Sequence, residues 1–194
     1  LDFARGLRSI LRHDPDKIMV GEMRDPETAQ IAIQAALTGH QVFATVHANN
    51  VFDVIGRLST MGVDPYNLVS ALNGVVAQRL VRIVCPHCST PDEPGAERIE
   101  ASALPDIPLG WSFRRGIGCA HCRGTGYKGR HAIAQTLAMD VGLRSLIAER
   151  ASPAVLREAA RERGLRTLRE AALGLVASGQ TTLEEANRVT AVEE

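Results

Sequence analysis

Aromatic side chains are scarce in this sequence, at 4% of its 194 residues. Leu, Val, Ile and Ala must therefore build the core, and 45% hydrophobic content is enough for one. No basic-aromatic platform appears on which nucleic acid could stack. An excess of either charge is also missing. Twenty-two basic residues balance twenty-two acidic ones, so no global field favours nucleic acid or a membrane surface. Lysine is almost absent, with Lys17 and Lys128 the only two. We read the arginine bias as genome composition rather than a phosphate-binding signal. No apolar run approaches the ~18 residues of a membrane span, and the N-terminus has no signal-peptide layout. The chain opens at Leu1-Asp2-Phe3-Ala4 with no initiator Met, inside a helical pattern, which reads as a fragment or excised domain. A G-x-x-x-x-G-K-[ST] stretch is missing too, and with it the cradle and lysine that hold nucleotide phosphates.

Cysteine is sparse but ordered. Its four copies form two pairs, Cys85-Pro86-His87-Cys88 and Cys119-Ala120-His121-Cys122. A CxxC turn brings two sulfurs within reach of one ion, and two such turns supply the four thiolates of tetrahedral zinc. The alternatives are two disulfides or four free thiols. Nothing in the sequence signals the oxidising compartment that disulfides need. Four sulfurs leave no open position, so this Zn²⁺ is expected to be structural. His87 and His121 are rival ligands by position and are read as exposed turn residues. The 30 residues between the pairs must form a long loop or carry structure of their own.

The punctuation along the chain predicts an α/β layer followed by helices. Phe3, Leu7, Ile10 and Leu11 have helical spacing. Ile18-Met19-Val20 and Gln41 to His47 read as buried parallel strands. Asp25-Pro26 opens a helix through Ala29, Ile33, Ala36 and Leu37 that stops at Gly39. Asn49 or Asn50 caps another ending at Gly62, and Asp64-Pro65 caps one expected to cover Leu68, Leu72 and Val76. Arg79 to Val84 alternates as a strand delivering Cys85. Pro91 to Trp111, with Pro94, Pro105 and Pro108, reads as an irregular insertion. After Gly129 helices are expected: from Ser152-Pro153 to Gly164, from Thr167 to Ser178, and from a capping box at Thr182-Leu183-Glu184-Glu185. The arginines of this tail, Arg150 to Arg169, alternate with acids and read as solvated faces with pairs such as Arg166–Glu170. Three segments result: an α/β part over 1–84, a zinc subdomain over 85–130 and a helical part over 131–194.

Two elements carry chemistry in the first segment. Ile18-Met19-Val20-Gly21-Glu22 is an apolar strand ending in a carboxylate, as in a Walker B strand. Such a carboxylate orients the attacking water or helps hold Mg²⁺. Thr45 and His47 end the next strand on one face, because strand period is two. The carboxyl ends of parallel strands are where α/β sheets place ligands.

Taken together, the sequence resembles the secretion and pilus-assembly ATPases of the GspE/PilB/PulE type. The match runs through Leu11 to Asp25, Glu27-Thr28-Ala29, the histidine box from Thr38 to Asn49, Ala77 to Arg82, the cysteine pairs, and Gly124 to Arg130. The resemblance implies the C-terminal part of a RecA-like P-loop NTPase domain with parallel strands, a tetracysteine zinc subdomain and a helical tail. It implies a hexameric motor on the cytoplasmic face of the inner membrane that uses ATP and Mg²⁺ to drive pseudopilus or pilus assembly. Its partners would be identical subunits and inner-membrane platform proteins. Glu22 falls on the family's Walker B glutamate and His47 on its γ-phosphate-sensing histidine. Thr45, Arg24 and Asp25 fall beside them. The tetracysteine site is a mark of the secretion and pilus-extension members. Departures are the missing phosphate loop, Ala48 where the family usually has Thr, and His131-Ala132-Ile133-Ala134-Gln135 where it usually continues Gly-Ile-Tyr-Glu. The family's aspartate box and N-terminal domain would lie upstream of Leu1. The alternative to a motor is a non-catalytic, zinc-stabilised interaction module.

Overall fold

Polar caps set the helix starts. In the computed structural model, which describes residues 2–104 and 107–190, Asp2 caps α1 (Phe3–Ile10) and Asp25 caps α2 (Pro26–Leu37). Asn50 caps α3 (Val51–Thr60) and Asp64 caps α4 (Pro65–Ala71), each through its side-chain oxygen. Pro105 lies outside the described residues.

Two compact units divide the chain, Leu1–Ala77 with Thr136–Leu165, and Gln78–Gln135 with Arg166–Glu194. Each unit thus draws on two separate stretches of chain, whereas the three motif segments are consecutive. In the first unit, β1 (Lys17–Val20) and β2 (Gln41–Ala44) pair in parallel, Ile18 opposite Val42 and Met19 opposite Phe43. Ile18 and Val20 are buried with Ala29, Ala32 and Ala35 of α2. The strands are not buried on both faces, as the apolar runs suggest. Met19 is 66% and Phe43 50% exposed. They are neighbours in register on the face that the helices do not cover. The buried stripe of α2 also differs from the expected one. Small Ala side chains let α2 approach α1, α4 and β2 closely.

Helix α4 ends at Ala71, because Leu72 leaves helical geometry, and Val76 belongs to the next strand instead. That strand, β3 (Gly74–Val84), starts earlier than the alternation from Arg79 indicates. It pairs with β6 (Tyr127–Ala138), which runs from the end of the zinc segment into residues 131–138, where the helical part is expected to begin. Ile133, Gln135 and Leu137 are buried on one side of β6, and pairing with β3 overrides the helix propensity of its alanines. Both strands run from one unit into the other. The first unit closes with α6 (Val141–Ala148), capped by Asp140, and α7 (Pro153–Glu162), capped by Ser152.

In the second unit β4 (Ser89–Pro91) pairs antiparallel with β5 (Arg114–Gly116). The insertion between them holds α5 (Ala96–Glu100) and is not wholly irregular. Thr167 caps α8 (Leu168–Ala177) in a reciprocal capping box with Glu170, so Glu170 serves the backbone rather than Arg166. Arg169 is no solvated face either. It is 8% exposed and donates to the Ser102 carbonyl at 2.7 Å and to Thr190 Oγ1 at 3.2 Å. Thr182 caps α9 (Leu183–Val189), but Glu185 does not return the bond. Its carboxylate is taken by Arg82 and Arg188.

Candidate functional site

Glu22 follows the last residues of β1, where the parallel ladder continues beyond the strand. Met23 donates its N–H to the Thr45 carbonyl at 2.9 Å, and the Thr45 hydroxyl donates to the Gly21 carbonyl at 2.5 Å. Thr45 therefore clamps the two strand ends together. Asp25 gives both carboxylate oxygens to Thr28, one to its N–H and one to its hydroxyl, each at 2.8 Å. These bonds hold its carboxyl below the usual range.

The clamp fixes a small charged cluster. Glu22 Oε2 lies 2.5 Å from an Arg24 guanidinium nitrogen, and Oε1 lies 2.6 Å from His47 Nε2. Oε1 is screened from solvent and receives no aligned hydrogen bond, and its close contact with His47 is an ion pair only when the imidazole is protonated. The Arg24 hydrogen bond holds the Glu22 carboxyl below its ordinary value. Burial opposes this, and the charges of Arg24, His47 and Arg57 reinforce it. Glu22 is therefore ionised at neutral pH, and an ionised carboxylate can accept a proton or face a hydrated cation. Of these residues only Arg57, on α3, was not marked by the sequence reading. It lies well along the chain from the strand ends, and only the fold brings its charge near Glu22.

The four cysteines form a second centre in the other unit. Their sulfurs all lie within 4.8 Å of one another. Cys85–Cys119 and Cys88–Cys122 are 3.9 Å apart and Cys119–Cys122 3.7 Å. A tetrahedron with metal–sulfur bonds of about 2.3 Å has edges of about 3.8 Å. The residues fit a Zn²⁺ ion and are not paired as disulfides.

Backbone geometry builds this centre. Cys85 leaves β3 and donates its N–H to the Gly126 carbonyl at 2.8 Å. Gly116 approaches the same residue so closely that a Cβ there would sit 2.1 Å from the Gly126 oxygen. Burial pushes the Cys88 thiol up to about 12. Burial acts on Cys122 too, but the N–H groups of Cys119 and Gly126, at 3.2 and 3.3 Å from its sulfur, outweigh it and hold it at about 6. His87 and His121 stay outside the sulfur shell. Both are exposed, and their rings stack at 3.9 Å between centroids.

Residues 1–188 match the family described as Type II/IV secretion system protein. The type IV pilus assembly ATPase PilB of Thermus thermophilus is 50% identical over 186 residues, which is 95% of this chain and 21% of that protein. The type II secretion system protein HxcR of Pseudomonas aeruginosa is 47% identical over 190 residues, 98% of this chain and 37% of that one. The chain thus spans between about a fifth and two fifths of the length of the curated relatives it matches. Among solved structures, the pilus retraction motor PilT with bound ADP has a TM-score of 0.64 at 27% identity, over 98% of this chain and 44% of that one. The ATPase DotB of Legionella pneumophila has the same TM-score, 0.64, at 23% identity over 97% of this chain and 42% of that one, a likeness of fold. Among the described residues, no helix is long and apolar enough to cross a membrane.

Proposed function

Because this chain belongs to the Type II/IV secretion system protein family, we propose that it is the Walker B and metal-bearing part of a hexameric ATPase that powers pseudopilus or pilus assembly. The motor would work in the cytoplasm, peripheral to the inner membrane, against identical subunits and membrane platform proteins. The observation carrying the proposal is the cluster at the carboxyl ends of two parallel strands, where Glu22 is held between Arg24 and His47.

In this reading Glu22 is the base that orients and deprotonates the attacking water. Mg²⁺, when bound, neutralises charge on the phosphates. His47, 78% exposed, is free to turn from Glu22 toward a γ-phosphate oxygen and so report its presence. Arg24 keeps Glu22 ionised. Thr45 and Asp25 are positioning residues, one clamping the strands and the other capping α2. Cys85, Cys88, Cys119 and Cys122 hold one structural Zn²⁺.

The test is steady-state ATP turnover in a full-length protein carrying these residues. Glu22→Gln is expected to keep nucleotide binding and lower turnover roughly 10²–10⁴-fold, and His47→Ala to lower it less. Near-normal turnover in Glu22→Gln overturns the assignment. The chain alone, without a phosphate loop, is expected to hydrolyse no ATP. A second reading is a non-catalytic zinc-stabilised interaction module, under which the full-length protein turns over no ATP with or without either substitution.

A further inference from the structure

Three anchors flank the two pairs of metal cysteines, and each of them also touches the turn between α8 and α9. Val84, immediately before Cys85, donates its N–H to the Gln180 carbonyl at 2.8 Å. Ser112, on the approach to β5, donates to the Ala177 carbonyl at 2.9 Å. Tyr127, just beyond the second pair, shares a hydroxyl hydrogen bond with Thr182 Oγ1 at 2.8 Å. Arg82 tightens the grip. Its carbonyl accepts from the Thr181 hydroxyl at 2.7 Å, and its backbone N–H and guanidinium reach Glu185 at 2.6 to 2.9 Å. The fit leaves no slack. Gly179 has φ +69°, and a Cβ there would lie 2.8 Å from the Ser112 oxygen.

These anchors keep their spacing only while the two cysteine pairs stay together. The bond from Cys85 to Gly126, the bond from the Ile117 N–H to the Cys88 carbonyl at 3.1 Å, the short β4–β5 pairing and the contact of Gly116 with Gly126 join the pairs through backbone. Four coordinated sulfurs would join them far more strongly. When the pairs part, Val84 moves away from Ser112 and Tyr127, and the turn cannot hold all of its bonds at once.

We propose that the α8–α9 turn reads the state of the metal centre. With metal bound, residues 177–185 are gripped and α9 is docked; with metal removed, α9 is released. The inference rests on the zinc reading above and adds a regulated tail to it. Coupling between two sites is reciprocal. A metal that docks α9 is therefore bound more weakly when α9 is undocked, even though no α9 residue is a ligand.

Metal analysis of the 194-residue chain, reduced and loaded with Zn²⁺, comes first. Hydrogen exchange is then followed with and without a chelator, and Zn²⁺ affinity is measured by competition with a colorimetric chelator. The expected result is about one zinc per chain. Chelation should abolish most protection over 183–189 and leave 26–37 unchanged. Glu185→Gln should weaken zinc binding roughly 5-fold or more. If Glu185→Gln does not fold, Tyr127→Phe carries the test, because it removes only the hydroxyl and keeps the ring under Arg82. No bound zinc overturns the metal reading and this inference together. Full zinc with unchanged exchange over 183–189, or unchanged affinity in the folded variant, overturns the inference alone.

Discussion

Glu185 is wholly buried, 0% exposed, and still ionised. Burial pushes its carboxyl up, but hydrogen bonds from Arg188 and Arg82 outweigh that and bring it down to about 2. The unfolded chain has no such bonds, and there the carboxyl titrates at its ordinary 4.5. A depressed folded value means stability that is present above the unfolded value and lost as pH falls toward the folded one. From about pH 5 to about pH 3, this residue alone should remove on the order of 2 kcal/mol. Urea unfolding of the Zn²⁺-loaded chain at those two values should show a drop larger by about that amount in the native chain than in Glu185→Gln, metal loss being common to both. Equal pH slopes for the two chains would mean that the arginines do not hold the charge. Glu22 is the contrasting case. Its partner Arg24 is well exposed, so the charge it keeps there adds little to stability.

At the scale of elements, the strand ends around the cysteines depend on missing side chains. Gly116, closing β5, and Gly126, just before β6, touch backbone to backbone. The Cβ of Gly116→Ala would stand 2.1 Å from the Gly126 oxygen, far inside contact distance, so the two cysteine-bearing loops must separate. Overpacking of this kind costs about 1–3 kcal/mol, and here it also pulls the sulfur pairs apart. Gly116→Ala should weaken Zn²⁺ binding by at least an order of magnitude in a competition titration. Affinity equal to that of the native chain would show that the close approach is dispensable.

That contact was not legible in the sequence, because nothing local marks Gly116 and Gly126 as neighbours until the fold brings them together. What was legible is chemistry that acts over a few residues. Asp25, Asn50, Asp64, Ser152, Thr167 and Thr182 cap helices where their types and spacing indicate. The CxxC pairs converge as their turns require. β6 was missed because its alanines favour helix locally and only pairing with β3 makes it a strand. Arg169 and Glu185 were misread for a related reason. Their partners, Ser102 and Arg82, lie 67 and 103 residues away along the chain. For the same reason, the exposure of Met19 and Phe43 follows from which face the helices cover, not from the strand's own composition.

Across the whole molecule, the two centres fall in different compact units. Glu22, Arg24 and His47 lie in Leu1–Ala77, whereas the cysteines and the α8–α9 turn lie in the unit of Gln78–Gln135 and Arg166–Glu194. Metal should therefore stabilise one unit and leave the other little changed, which the chain's composition makes measurable. Trp111 is the only tryptophan, and it sits half-buried in the cysteine-bearing unit against Phe113, 5.6 Å between ring centroids. Its fluorescence follows that unit alone, while far-ultraviolet circular dichroism follows the helices of both. Structural zinc in such sites contributes on the order of 10 kcal/mol, and in a small unit each kcal/mol moves the midpoint by roughly 4–8 °C. Chelation should therefore lower the Trp111 midpoint by tens of degrees, or abolish the transition. A large part of the dichroism should survive to the original temperature, carried by α1 to α4, α6 and α7. One common midpoint for both signals, shifted equally by chelator, would mean that the units unfold as one and that the metal supports the Glu22 cluster as well.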